Sequence, residues 1–512
     1  MIPIIFSYAE VHYALGPLRG LYYRRMPEIV ADLPHRYIRG SLSGLPVALI
    51  VKDANRWPLR LLSLTVHVHS DHGVHSHQVD LHGHEVRERY HSSVVYVPLE
   101  DIAPDQALRV NVRIEVELRG RRRVFYNDNY RGLLWEPFDC WYAAEGLPLP
   151  TDWYAGDAHY HSHFTDDQVE FGADPATASV MARALGLRWF FVTDHSYDLD
   201  DAPGNPLRQD PAHPKWGAMM AACRAADTPD VRVLWGEEIS VGNSRGQNVH
   251  LLAINDPRFH LGSGDSAERW FRNRPELHLS DIARHEGSLL IPAHPFDPVP
   301  PLQRLTLRRG QWADDDFQSV ETQWLQAING GGTDSVRRNL DAWRETLLAG
   351  RRRLIVAGND AHGNFGCMRQ IAQPMLRLFR SREQIFGDWF TAFRHTANEP
   401  VAGLEGREII VSNGPFLMFR LQGQDAEYRI GQEMRERHCV LHFEYATTPQ
   451  FGAVRDIELF IGDVRSHRET LHTQALDGMK LLLPPGGYVR MELHTERGGH
   501  VVTNPVFLAE DA

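Results

Sequence analysis

Trp153 to Asp167 reads WYAGDAHYHSHFTDD, a short apolar run that ends in a crowd of histidines and carboxylates. On a strand, alternate residues share a face. His159, His161 and His163 then point one way, with Asp166 and Asp167 in the loop just beyond. Imidazole plus carboxylate at a strand end suits Zn, Mn or Fe as a first set of ligands. One such cluster proves little; its repetition further along decides the reading.

From 151 to about 402 apolar runs alternate with helical stretches, the α/β rhythm. Asp174 as N-cap, Pro175 at the first helical position and Gly186 as the stop frame a helix over ATASVMARALG. RWFFVTDHS then ends in Thr193-Asp194-His195, and VRVLWGEEIS carries Gly236-Glu237-Glu238. NVHLLAIN brings His250, GSLLIPAHPF ends in His294, and RLIVAGNDAHG ends in Asp360-Ala361-His362. SVETQWLQAING is a further strand-like run and SVRRNLDAWRETLLAG a helix, while Ser381-Arg382-Glu383-Gln384 opens another helix with a capping box. In a closed or partly closed parallel β/α barrel such strand ends converge on one face, where active sites are built.

The flanks differ. In residues 1–150, LRLLSLTVHVHS, SSVVYVPL and ALRVNVRIEVELRG alternate apolar and polar, the mark of half-buried strands. RGRRRVFYNDNYRG reads as a hairpin and its return, and a β-sandwich is expected. Its histidines, including His67, His69 and His77, imitate the later pattern but meet no carboxylates at later strand ends; surface positions explain them. Residues 403–512 return to short strands with Gly, Pro and Asn turns, among them Asn413-Gly414-Pro415 and Thr503-Asn504-Pro505, and a second sandwich is expected.

The chain has 512 residues, 43% of them hydrophobic, and a net charge of -12. At roughly 100–200 residues per domain, about three domains are expected. The charge does not indicate a nucleic-acid or anionic-membrane partner. Only Lys52, Lys215 and Lys480 are lysines, and the four cysteines lie far apart with no C-x-x-C pair, which argues against a zinc ribbon or a disulfide scaffold. The first residues lack a basic leader and a cleavage site, and no apolar run nears the ~20 residues that span a bilayer. A soluble cytoplasmic protein is the expectation.

As an ordered set, His159-Tyr-His161, Thr193-Asp194-His195, Gly236-Glu-Glu238, His250, Ala293-His294-Pro295 and Asp360-Ala-His362 resemble the PHP (polymerase and histidinol phosphatase) superfamily. With β domains on both sides, the chain is similar to the carbaryl-hydrolase-like subgroup; GREIIVSNGP and TNPVFL resemble turns of that subgroup. The resemblance implies an α/β fold with a distorted (β/α)7 PHP barrel between two β-sandwich domains, and up to three divalent metal ions. It implies one site of His159, His161, Glu238 and Asp360, a second that shares Glu238 and adds His250 and His294, and a third of Asp166, His195 and His362. Asp167 or His163 could replace Asp166. Glu237 stands beside Glu238; spacing after Gly236 favours Glu238.

Imidazoles with few carboxylates leave net positive charge in a metal pocket, which acidifies bound water to hydroxide near neutral pH. A bridging carboxylate such as Glu238 sets two ions about 3.5–4 Å apart, suited to in-line displacement. A small phosphate ester is the favoured substrate; a carbamate or carboxylic ester on the same site is the alternative, and a non-catalytic metal-stabilised binding module a third. An arginine-rich phosphate pocket would separate the first two, with Arg369 a candidate. The general acid is not legible; His163 and Asp167 are nominated, both in positions that also fit support of a ligand. Gly242-Asn243-Ser244-Arg245-Gly246 fits the serine-hydrolase elbow as text, but that elbow needs a helix after it; a strand follows, so a hairpin turn is expected.

Overall fold

The computed structural model describes residues 26–129, 136–165, 172–203, 205–262, 264, 273–320, 322–368, 383–473 and 475–510. Asp166, Asp167, Arg369, Ser381 and Arg382 lie outside them. Two sheets build the N-terminal region. One holds Glu28–Asp32, Leu45–Lys52 and Tyr90–Val97; the other runs Arg36–Ile38, Phe138–Ala143, Gln106–Leu118, Leu59–Ser70, Gly73–Val86, with Arg121–Tyr126 beside Gln106–Leu118. Alternate residues of 106–118 are buried, and the side chains of both sheets fill one core.

The central region is organised on the strand Trp153–His161. It lies parallel to Trp189–Val192, which lies parallel to Arg232–Gly242. The helix Pro175–Leu185 bridges the first pair and Pro214–Ala226 the second. The rhythm then breaks. Arg232–Gly242, Asn248–Ile254 and Leu289–Pro292 run antiparallel in succession, where the sequence reading expects parallel strands. For the first pair the physical reason is the five-residue link Asn243–Gln247: a parallel crossover needs a dozen residues or more. Ser244 therefore sits in a hairpin turn. Trp324–Asn329 and Leu354–Gly358 form a further parallel pair joined by the helix Thr333–Leu348. Leu289–Pro292 lies beside 324–329, and 354–358 lies beside 153–161. Residues 383–389 form turns instead of the expected capped helix.

On its other side 153–161 pairs with Phe390–Arg394, and the sheet continues through Ile409–Ser412, His500–Thr503, Tyr488–Thr495, Val454–Asp463 and Arg468–His472. A four-stranded sheet of Glu427–Arg429, Phe416–Gln422, His438–Ala446 and Lys480–Leu482 faces this extension. Phe419, Leu441, Met491 and Leu493 share a core with Phe190 and Met181. The C-terminal strands are thus joined to the central sheet, not set apart from it. None of the four cysteines is disulfide-bonded, and no helix among the described residues is long and apolar enough to cross a membrane.

Candidate metal centre

Glu238 sits in the middle of the strand 232–242, held where its amide donates to Asp194 O at 3.0 Å. Its Oε1 faces His250 Nδ1 at 2.5 Å and His294 Nε2 at 2.9 Å. Its Oε2 faces His195 Nδ1 at 3.0 Å, His161 Nε2 at 3.3 Å and His159 Nε2 at 3.4 Å. Five imidazoles from four separate strand ends therefore surround one carboxylate. Asp360 Oδ1 adds to the same space, 3.0 Å from His161 Nε2 and 3.5 Å from His159 Nε2. The His362 ring lies flat on His161, 4.2 Å between centroids.

Alternation explains why Glu238 and not Glu237 faces the cluster. Glu237 points to the opposite side and accepts from His260 N at 2.8 Å; burial pushes its carboxyl well above the usual range. His294 and Asp360 hold positive φ angles of 31° and 51°, rare for residues with a Cβ and often found where structure serves a site. Gly358 is required by closeness: a Cβ there would lie 2.6 Å from the Cβ of His159.

The rings are aimed from behind. His159 Nδ1 donates to Gln326 Oε1 at 2.8 Å and His161 Nδ1 to Thr165 Oγ1 at 3.2 Å, so each Nε2 turns inward. Thr165 Oγ1 in turn donates to Asp194 Oδ1, which also accepts from the amides of Ser162 and Thr165. His362 Nδ1 donates to Asp360 O at 3.0 Å. Asp360 Oδ2 accepts from Gln384 Nε2 at 2.8 Å. Under the strand, Asp157 accepts from Asn359, His159 and Gly387; burial pushes its carboxyl up to about 6.

These residues fit divalent ions. His159 Nε2 and His161 Nε2 lie 2.9 Å apart with both Nδ1 hydrogens committed outward, so two lone pairs converge unless a cation or proton lies between them. Burial works against charge here, yet the imidazoles of His250 and His159 hold Glu238 well below the usual carboxylate range, and His159 does the same for Asp360. Burial pulls His161 down, but Asp360 and Glu238 raise it to about 10. Burial and His161 push His362 well below the usual imidazole value.

Three overlapping donor groups result: His159, His161, Glu238 and Asp360; His195, Glu238 and His250; and His161, His195 and His362. The first has the membership that the family resemblance implies. In the second His195 accompanies His250, with His294 touching Glu238 alongside. In the third His161 stands with His195 and His362, Asp166 being outside the described residues. His163 is not among these groups; its ring stacks on Tyr90 at 4.3 Å in a cleft lined by Lys52, Arg89 and Lys215. The sequence reading missed Gln326, Asp157 and Asn359. It also missed Arg309, whose Nη2 lies 3.1 Å from His250 Nδ1. The N-terminal histidines form no metal-competent group among the described residues.

No family model matches the chain, and no curated protein matches it. Among solved structures, the β-glucuronidase of Bacteroides uniformis is similar at a TM-score of 0.20 with 9% identity, over 94% of this chain and 61% of that one. The β-glucuronidase of Parabacteroides merdae gives 0.20 and 8%, over 95% and 64%. The chain spans less than two thirds of the length of either enzyme, and likeness at this score carries no argument.

Proposed function

We propose that the chain is a PHP-type, divalent-metal-dependent hydrolase acting on a small phosphate ester. The observation that carries this reading is the gathering of five imidazoles and Asp360 around Glu238. His159, His161, Glu238 and Asp360 would hold one ion, with His195, His250, His294 and His362 completing the neighbouring positions. Up to three ions of zinc, manganese or iron suit a set without thiolates. Seven strands, 153–161 to 354–358, neighbouring one another in sequence order and returning to the first, support a distorted barrel. When bound, the ions supply Lewis acidity and an acidified water.

The chain's own groups do the rest. Gln326 and Thr165 fix the tautomers of His159 and His161. Glu238, shared between two donor groups, ties their positions together. Arg309 supplies a fixed positive charge beside His250, suited to an anionic phosphoryl oxygen that a neutral carbamate or ester lacks. This favours the phosphoester over the carboxylic ester. Cysteines that form no disulfides fit a cytoplasmic setting.

The test is a panel of phosphate monoesters, diesters, carbamates and aryl esters offered to protein reloaded with Zn, Mn or Fe. Phosphoester turnover should vanish, with metal, in His161→Ala and persist in His77→Ala. Arg309→Met should raise KM for phosphoesters at least tenfold. Turnover confined to carbamates or aryl esters and indifferent to Arg309→Met would replace the phosphoester reading. Stoichiometric metal with no turnover in the panel would leave a binding module.

A further inference from the structure

One face of the C-terminal sheet carries a second group of donors. Across the ladders, His494 stands opposite His500, and Glu492 opposite Glu458. The intervening Met491, Leu493 and Val501 point into the core, so these four side chains share the other face. His500 Nε2 lies 2.8 Å from Glu492 Oε2. His494 Nε2 lies 3.7 Å from that same oxygen and 3.6 Å from Glu458 Oε2. The two rings stack at 4.2 Å, and Glu492, His494 and His500 each offer an atom within 4.8 Å of the others.

Glu492 is aimed at this point. Its Oε1 accepts from the buried Arg490 guanidinium, which Glu469 holds at 2.8 and 2.9 Å. Only Oε2 is left to face the imidazoles. Two carboxylates directly opposite on neighbouring strands repel, and a divalent cation between them would reverse that sign. His494 and Glu458 are about a quarter exposed, at 26% and 22% of their side chains, which leaves an open side for water.

We propose that Glu492, His494 and His500, with Glu458 as fourth donor, form a separate structural site for a divalent cation of the zinc class. Bound there, the ion would clip together three strands of the sheet that joins the C-terminal region to the centre. Hydrolysis does not pass through it.

The test uses the full chain, stripped by chelator and reloaded with Co(II), with equivalents counted by elemental analysis. His500→Ala and the milder His494→Gln should each bind one equivalent fewer than the parent and lose the corresponding part of the Co(II) visible absorption. Both should keep the parent's circular dichroism and its turnover of any ester substrate. Glu458→Gln, least disturbing to the fold, should release one equivalent on dialysis at least tenfold faster. Folded variants with the parent's stoichiometry, spectrum and release rate would overturn the proposal and leave a hydrogen-bonded polar cluster. A one-equivalent loss in His161→Ala alone would overturn it equally, by assigning all bound metal to the centre around Glu238.

Discussion

Gln326 decides which nitrogen of His159 faces Glu238, since its Oε1 takes the Nδ1 hydrogen. Support of this kind is worth about 10–100-fold in metal affinity. Gln326→Leu should therefore raise the dissociation constant for Zn by that factor in a chelator competition, with the fold retained. A sequence exposes His159 and His161 as candidate ligands because metal donors are particular residue types, here gathered at a strand end. It hides Gln326, because many side chains can accept one hydrogen and only the fold brings this one within reach. Asp256 gives a different reading. Burial works to raise its carboxyl, but Arg258, reaching it at 2.6 and 2.9 Å, and His260 hold it below the usual range. A depressed carboxylate stabilises the fold above its unfolded value near 3.9, and the contribution disappears as pH falls further. With Arg258 nearly half in solvent, Asp256→Asn should cost about 1 kcal/mol in urea melts at pH 7. That gap should narrow below pH ~4, and a gap constant down to pH 2 would contradict the assignment.

At the scale of elements, the helix Pro175–Leu185 was legible to the residue: Asp174 accepts from Thr177 N at 3.0 Å, and Gly186 takes the left-handed conformation at φ 86°. What composition could not reveal is that Asp174 also accepts from Ser92 and, at 3.4 Å, from the Tyr90 hydroxyl of the N-terminal sheet. One carboxylate caps a helix and ties two regions together. A lost cap costs about 1 kcal/mol and each lost bond to a charged group about as much again. Asp174→Ala should therefore lower unfolding stability by roughly 2–3 kcal/mol, and Ser92→Ala by about 1 kcal/mol; equal effects would mean that the cap contributes nothing. The antiparallel turn from 232–242 to 248–254 was readable from the length of the Asn243–Gln247 link, but the longer link from 254 to 289 allows either direction, and strand text alone carries none. The decoy His67-Val-His69 shows the converse. It has the letters of His159-Tyr-His161, yet it belongs to no metal-competent group among the described residues, and His67 approaches Ser76 at 2.9 Å.

Across the whole molecule, the expected boundary near 402 falls within a continuous sheet. Ile409–Ser412 pairs with Phe390–Arg394 on one side and with His500–Thr503 on the other. Thr503-Asn504-Pro505, a turn by composition, does more in the structure. The buried Asn504 side chain accepts from Ile355 N at 2.7 Å and donates to Ile355 O at 2.9 Å, completing the strand that leads to Asp360. Alternating strand text cannot say which sheet a strand will join, so this joint was invisible until the partners were known. Tyr488, Val502 and Phe507 pack in one core with Trp189 and Trp343, so removing residues 403–512 would bare that core and the edge of 390–394. A chain ending at 402 should be insoluble or molten, with its near-ultraviolet dichroism lost. Asn504→Ala, which leaves two buried backbone groups of Ile355 without their partner, should cost about 2–4 kcal/mol. Because the strained Asp360 follows directly on this strand, the same variant should also hold metal more weakly in a chelator competition. If the shortened chain instead unfolds cooperatively and keeps its full metal complement, the C-terminal strands are an appendage and the centre around Glu238 stands without them.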